Sequence, residues 1–236
     1  MSAGVKVVIF DWGGTLSEFV PIELVDVWSA AARRLAPERV EELVGELSAV
    51  EERFWSRTTA ACESATLADL LAEASGTLGL DVAEAVLDEA ALGHLDAWAP
   101  HIRHHADAAP TLRALRQRGI GLGLLSNTHW PRDYHERLLD HDGLVPLLDV
   151  RLYTSEMTHL KPHPSVFEAA LRALGLDDPA AAVFVGDRRY DDVFGAQRAG
   201  LRAVWVDNDH TPAWDVQPDA TVTALAELPA VIDGWR

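Results

Sequence analysis

Polar side chains suited to phosphoryl transfer follow short apolar runs at several points of this sequence. Asp11 follows the apolar residues 5–10 and opens a glycine-rich turn, and Ser126, Lys161 and Asp187 come later in the chain. Because ligands bind beyond the carboxyl ends of parallel strands, we expect these four side chains to meet at one site. A carboxylate can attack phosphorus and form an aspartyl-phosphate. The sequence therefore predicts that Asp11 is a nucleophile.

The carboxylates near the end of the chain predict a cation beside that nucleophile. Asp187 ends a second apolar run, and Asp192 begins the helix that follows. Mg²⁺ prefers hard oxygen ligands and offsets the repulsion between a carboxylate and a phosphate ester. Lys161 would stabilise charge on the transferring group. Ser126 and Asn127 would donate hydrogen bonds to phosphoryl oxygens.

The elements that position these residues alternate between strand and helix. Such alternation predicts an α/β fold with a doubly wound parallel sheet. Predicted strands occupy residues 5–10, 120–125, 150–154, 182–185 and 203–206, and predicted helices occupy residues 108–118, 132–139, 164–174 and 193–199. A final short strand and helix are expected within residues 221–232.

Residues 22–98 have a different pattern. Apolar residues recur there at helical spacing, with Ala, Glu and Arg between them, and strand-like runs are almost absent. We therefore expect a helical insert of three to five helices, with candidate helices at residues 24–35, 40–54, 67–78 and 82–98.

Taken in order, these motifs resemble those of the haloacid dehalogenase superfamily of hydrolases. The matching residues are Asp11-Trp12-Gly13-Gly14-Thr15, Ser126-Asn127, Lys161-Pro162 and Gly186-Asp187 with Asp192, Gly195-Ala196 and Ala199-Gly200. The resemblance implies an α/β core of residues 1–16 and 106–236 and an inserted helical cap of residues 17–105.

The resemblance also implies roles for individual residues. Catalysis would fall to Asp11, Ser126 and Lys161. The phosphate would bind to Gly14, Thr15, Ser126, Asn127 and Lys161. Mg²⁺ would bind to Asp11, the backbone carbonyl of Gly13, Asp187 and Asp192.

Gly13 departs from the family pattern. Phosphatases of the family have a second Asp there, which protonates the leaving alkoxide and then activates water. Losing such a group costs about 10²–10⁴-fold in rate. Three consequences are open. The protein is a slow phosphatase or one for substrates with good leaving groups, or Glu18 or a cap residue supplies the proton to the leaving group. In the third case hydrolysis is largely lost. Hydrolytic dehalogenation of a haloacid is the alternative activity, because dehalogenases also lack this Asp. A catalytically impaired metabolite-binding protein is the alternative from another class.

Composition restricts the partners. The net charge of −17 at pH 7 argues against nucleic acid and anionic membranes as partners. A small anionic metabolite is still the expected substrate, because local Lys, Arg and a metal ion can invert the field inside a cleft. The single cysteine and the lack of a signal peptide or long apolar run indicate a cytoplasmic protein. A monomer or a homodimer would fit equally well.

Two groups of rings have competing interpretations. His101, His104 and His105 are expected in a solvated hinge where the insert rejoins the core, with a metal site as the alternative. Core packing is expected for Trp28, Trp55 and Trp98, with an apolar cap pocket as the alternative.

Overall fold

The computed structural model describes residues 4–20, 22–60 and 62–235. Its sheet has six parallel strands in the order β3-β2-β1-β4-β5-β6. The strands are β1 Val7–Phe10, β2 Gly121–Ser126, β3 Val150–Tyr153, β4 Ala182–Gly186, β5 Arg202–Val206 and β6 Ala220–Val222. The order reverses direction between β1 and β4, which is where ligands bind in sheets of this topology.

Helices cover both faces of this sheet, as predicted for a doubly wound fold. The helices around the sheet are α5 Ala108–Gln117, α6 Arg132–His141, α7 Pro164–Ala173, α8 Gly195–Arg198 and α9 Leu228–Asp233. Val8 and Phe10 of β1 belong to the apolar cluster on one face, and Val7 and Ile9 belong to the cluster on the other. Such alternation is expected, because successive side chains of a strand point to opposite faces.

The segment before α8 begins its helical turns earlier than the sequence predicted. A π-helix spans Arg189–Phe194 and runs directly into α8, whereas residues 193–199 were predicted as the helix. The Asp192 carboxylate accepts a hydrogen bond from the Arg188 backbone N–H at 2.8 Å. This side-chain bond helps to fix the wide turn that places Asp192 under the strand ends.

Four helices lie between β1 and α5, in agreement with the predicted helical insert. They are α1 Leu24–Leu35, α2 Val40–Ala60, α3 Leu67–Thr77 and α4 Glu84–Trp98. We call α1–α4 the helical segment. Its centre is Trp28, which is fully buried, stacks on His94 at 3.9 Å between ring centroids and donates its indole N–H to Glu51 at 2.7 Å. Core packing of Trp28 is therefore confirmed.

The chain enters and leaves the helical segment side by side. Ser17 and His104 form an antiparallel bridge, the Glu18 N–H donates to the Arg103 carbonyl at 2.8 Å, and the His105 N–H donates to the Leu16 carbonyl at 2.9 Å. The division into a core of residues 1–16 and 106–236 and a cap of residues 17–105 stays a prediction. No helix among the described residues is long and apolar enough to cross a bilayer.

Buried histidines make the stability of this fold depend on pH. Burial lowers the pKa of His94 to about 4, against about 6.5 in an unfolded chain. Between these values the unfolded state binds a proton that the folded state does not, so the free energy of unfolding falls as the pH falls.

A single substitution tests this pH dependence. His94→Phe keeps a ring against Trp28 and removes the titrating group. The loss of unfolding free energy between pH 6 and pH 5, measured by urea denaturation, should shrink by about 1 kcal/mol. His141→Phe is the control, because that side chain is 85% exposed. An unchanged pH dependence in His94→Phe would contradict a buried neutral imidazole.

Candidate active site

Two carboxylates leave the centre of the sheet at the same edge. Phe10 of β1 is in register with Val185 of β4, and the Asp11 N–H donates to the Val185 carbonyl at 2.9 Å. Asp11 and Asp187 therefore both follow central strands at the point where the strand order reverses. The predicted convergence of these residues is present in the structure.

Lys161 joins the nucleophile candidate to Asp192. Its ammonium lies 2.6 Å from Asp11 Oδ1 and 2.7 Å from Asp192 Oδ1, and the side chain is 1% exposed. Burial alone would lower the pKa of Lys161, but the two carboxylates outweigh it and raise that pKa above its usual value. The amine is therefore a fixed positive charge at the base of the site.

Asn127 holds the Lys161 backbone. Its carbonyl oxygen accepts from the Lys161 N–H at 2.8 Å, and its amide donates to the Lys161 carbonyl at 3.0 Å. Sequence reasoning predicted phosphate binding for Asn127. The structure adds a positioning contact that the sequence did not reveal.

The negative charge of the Asp187 carboxylate is only partly compensated by neighbouring groups. Its Oδ1 is buried and has no hydrogen-bond partner among the described residues. Its Oδ2 lies 3.5 Å from His210 Nε2. Burial, and then the charges of Asp11 and Asp192, raise the pKa of Asp187 well above its usual range. A cation that binds beside this buried carboxylate would stabilise its ionised form.

Two glycines let this carboxylate cluster pack against the backbone. A Cβ at Gly14, where φ is +80°, would lie 2.5 Å from Asp187 Oδ2. A Cβ at Gly186 would overlap the Asp192 carboxyl group. Any larger residue at either position would displace a carboxylate of the site.

The donor set fits a hard divalent cation. Asp11, Asp187 and Asp192 each offer an oxygen, and these atoms all lie within 4.8 Å of one another. Asp192 already binds Lys161 and the Arg188 N–H, which leaves Asp11 and Asp187 as the carboxylates with free oxygen atoms. Three buried carboxylates against the buried Lys161 ammonium and the half-exposed Arg188 guanidinium leave excess negative charge, which a Mg²⁺ ion would offset.

A cavity of about 240 Å³ opens beside Asp11, and we call it the active-site cavity. Gly13, Ser126, Asn127 and Lys161 line it, as the sequence predicted for site residues. A neighbouring cavity of about 230 Å³ shares Gly13 and includes Glu18, Gly14 and Asp187 in its lining.

Thr15 is placed differently from the other predicted phosphate-binding residues. It is fully buried and is absent from the lining of both cavities, and its hydroxyl has no partner among the described residues. Its assignment to phosphate binding therefore stays a prediction without a supporting contact.

The expectation of a solvated hinge is wrong for His104. Its side chain is 4% exposed. A hydrogen bond of 2.9 Å joins Trp12 Nε1 to His104 Nε2. Because an indole N–H can only donate, His104 Nε2 is the acceptor. Nδ1 then carries the proton and donates to Asp142 at 2.6 Å. The reason for the burial is this chain of bonds, which fixes the indole that follows the nucleophile.

Sequence reasoning indicated the aromatic lining only in part. Trp55 and Trp98 of the helical segment, for which core packing was expected and an apolar cap pocket was the alternative, line the active-site cavity together with Trp12. They are joined there by Trp130 and His129, which follow β2. The signal available in the sequence was the position of residues 129 and 130, directly after the Ser126-Asn127 motif.

A model of the haloacid dehalogenase-like hydrolases matches residues 5–200. The chain belongs to this family. Its fold also agrees with solved structures of the family over nearly the whole chain. A 2-haloacid dehalogenase from Pseudomonas syringae is 28% identical with a TM-score of 0.74, covering 98% of this chain and 100% of that one. A phosphatase from Thermococcus onnurineus is 26% identical with a TM-score of 0.63 at the same coverage.

Phosphatases are among the curated relatives of this chain. A phosphoserine phosphatase from Thermus thermophilus is 37% identical over 125 residues, which is 52% of this chain and 49% of the relative. A glyceraldehyde 3-phosphate phosphatase from Pyrococcus furiosus is 28% identical over 138 residues, or 56% of each chain. The chain thus spans about half the length of these relatives.

The charge balance of this hydrolase site is open to a direct test. Lys161→Met would leave Asp11 and Asp192 without their buried ammonium, and the free energy of unfolding should fall by about 3–5 kcal/mol. Urea denaturation at pH 7 in EDTA measures the change.

The matched control is Lys6→Met, because Lys6 is exposed. Adding Asp192→Asn to Lys161→Met should recover part of the loss, since it removes one unpaired carboxylate. A single Lys161→Met variant as stable as the Lys6→Met control would show that the ion pairs contribute little.

Proposed function

We propose that the protein is a Mg²⁺-dependent phosphatase that acts on a small anionic metabolite through an aspartyl-phosphate on Asp11. One observation carries the proposal: Asp11, Lys161, Asp187 and Asp192 converge at the strand-order reversal beside a cavity. The phosphatase relatives support the same activity.

The chain's own residues divide the reaction between them. Asp11 supplies the oxygen that attacks phosphorus, and the bond from phosphorus to the ester oxygen breaks as the alcohol part of the substrate leaves. Lys161 holds Oδ1 and thereby fixes the direction of the carboxylate. Ser126 lines the cavity and donates a hydrogen bond to a phosphoryl oxygen. Asp192 orients the Lys161 ammonium. Water then attacks the aspartyl-phosphate, and phosphate leaves as the Asp11 carboxylate is restored.

Mg²⁺ would be held by Asp11, Asp187 and the backbone carbonyl of Gly13, with Asp192 next to it. When bound, it neutralises the charge between the phosphate and the attacking carboxylate. The unpartnered Asp187 Oδ1 is the atom that most favours this assignment.

A nucleophile test separates this proposal from mere binding. Asp11→Asn should abolish Mg²⁺-dependent phosphate release from a panel of phosphate esters and acyl phosphates, because the amide cannot form the covalent intermediate. EDTA should abolish release by the unchanged protein. Asp140→Asn, an exposed substitution on α6, should leave the rate unchanged. Phosphate release by Asp11→Asn at the normal rate would refute the proposed nucleophile.

The missing acid gives a second prediction. A Cβ at Gly13 would meet no atom within 4 Å, so the backbone at this position has room for the start of a side chain. Gly13→Asp should raise the rate for an alkyl phosphate about 10²–10⁴-fold, because the carboxyl group protonates the departing alkoxide.

The control for this gain is Gly13→Asn, which has a similar side chain that does not titrate. If Gly13→Asn raises the rate of phosphate release as much as Gly13→Asp, the gain does not come from proton transfer.

Hydrolytic dehalogenation is the second candidate, favoured by the same glycine and by the likeness to a solved 2-haloacid dehalogenase. A dehalogenase would release halide from a 2-haloacid in the presence of EDTA and would depend on Asp11. Halide release under these conditions, with no phosphate release from the panel, would replace the phosphatase proposal.

We also infer a cytoplasmic protein that acts as a monomer or homodimer without nucleic-acid or membrane partners. The single cysteine and the net charge of −17 support this view.

A further inference from the structure

The active-site cavity has an unusually aromatic wall. Trp12 and Trp130 come from the loops after β1 and β2, and Trp55 and Trp98 come from α2 and α4. The ring centroids of Trp12 and Trp130 are 6.2 Å apart, and those of Trp98 and Trp130 are 5.4 Å apart. The ring of His129 lies between Trp55 and Trp130, with centroids 6.0 Å and 6.1 Å from theirs. The four indoles and this imidazole therefore form a continuous surface between the strand ends and the helical segment.

Side chains beside this wall carry little positive charge. Burial lowers the pKa of His129 to about 3, so its ring is neutral. Glu51 accepts a hydrogen bond from Trp28 at 2.7 Å and places a carboxyl group at this wall. A second anionic group on a substrate would find no counter-charge here.

Each cation that lines the cavity lies beside at least one carboxylate of the protein. Among the described lining residues these cations are Lys161 and Arg188. Lys161 binds Asp11 and Asp192, and Arg188 lies 3.8 Å from Asp191. The part of a substrate beyond its phosphoryl group should therefore be uncharged and apolar, because burying an unpaired charge against these indoles would be costly.

Gly13 restricts the leaving group of the substrate, because glycine has no side chain that could protonate it. An aliphatic alkoxide needs a proton as it departs, since its alcohol has a pKa close to that of water, about 15.7. A phenol has a pKa near 10, as tyrosine does. A phenolate can therefore leave without a proton from the protein. The apolar wall and the missing acid select the same kind of molecule.

We propose that the substrates are phosphate monoesters of phenols, with the aromatic ring held among Trp12, Trp55, Trp98 and Trp130. This inference rests on the proposed phosphatase function. A cavity of about 150 Å³ accommodates benzene, so about 240 Å³ holds one ring together with a phosphoryl group.

The reaction balances without an acid at position 13. An Asp11 carboxylate oxygen forms a bond to phosphorus, and the bond from phosphorus to the aryl oxygen breaks. The electron pair of that bond goes to the phenolate, which takes a proton from water after it leaves. A second water molecule then attacks phosphorus, releases phosphate and restores Asp11.

The experiment compares leaving groups. We would measure kcat/KM with Mg²⁺ for ring-substituted phenyl phosphates of graded phenol pKa, for n-propyl phosphate, and for acetyl phosphate as a good leaving group without a ring. Phenyl phosphate should exceed n-propyl phosphate by at least about 100-fold, and the rates for the aryl series should fall steeply as the phenol pKa rises. Gly13→Asp should flatten that dependence.

A pair of variants tests the aromatic wall separately. Trp98→Ala should lower kcat/KM for phenyl phosphate about 10-fold more than kcat/KM for acetyl phosphate, because stacking partners contribute on that scale. Trp214→Ala is the control, since that ring is 43% exposed and lies outside the cavity lining.

Each failure has a distinct meaning. Hydrolysis of acetyl phosphate together with equal rates for phenyl and n-propyl phosphate would overturn the aryl inference and leave the phosphatase proposal standing. Failure to hydrolyse any of these compounds would overturn both. Selective loss of n-propyl phosphate hydrolysis in Glu51→Gln would show that Glu51 supplies the proton, and would also overturn the inference.

Discussion

The contact of one buried ammonium with two carboxylates governs this site. Lys161 can stay charged at 1% exposure because Asp11 and Asp192 lie within 2.7 Å. The same ammonium cannot also balance Asp187, whose Oδ1 has no partner among the described residues. Buried charges that are not balanced within the protein favour an external counter-ion. The excess of carboxylates at this site would therefore favour a bound cation.

The sheet brings these charges together at little conformational cost. β1 and β4 are neighbours although about 170 residues separate them in the chain, so the loops after them meet at the reversal of strand order. Gly14 and Gly186 remove the side chains that would keep Asp187 and Asp192 at a distance. Rigid strands and absent Cβ atoms together define how closely the carboxylates approach.

Much of this could be predicted from the sequence because the signals are local. The strands were apolar runs that end at Asp11, Ser126 and Asp187, and the helical segment showed helical spacing. The structure confirms both. The bonds from Trp12 to His104 and from His104 to Asp142 were not predictable, because they join residues 92 and 38 positions apart. Spacing along a chain carries no information about such contacts.

The aromatic wall shows the same limit. Apolar periodicity indicates that Trp55 and Trp98 face inward. The same periodicity does not distinguish a helix face that packs in the core from one that lines a substrate cavity. The distinction depends on how the helical segment sits over the strand ends. The open backbone of Gly13 has one more consequence, at the level of the gene. Two of the four glycine codons differ from an aspartate codon by a single base, and a Cβ at position 13 would meet no atom within 4 Å. From either of those codons, one base change would supply the missing carboxyl group.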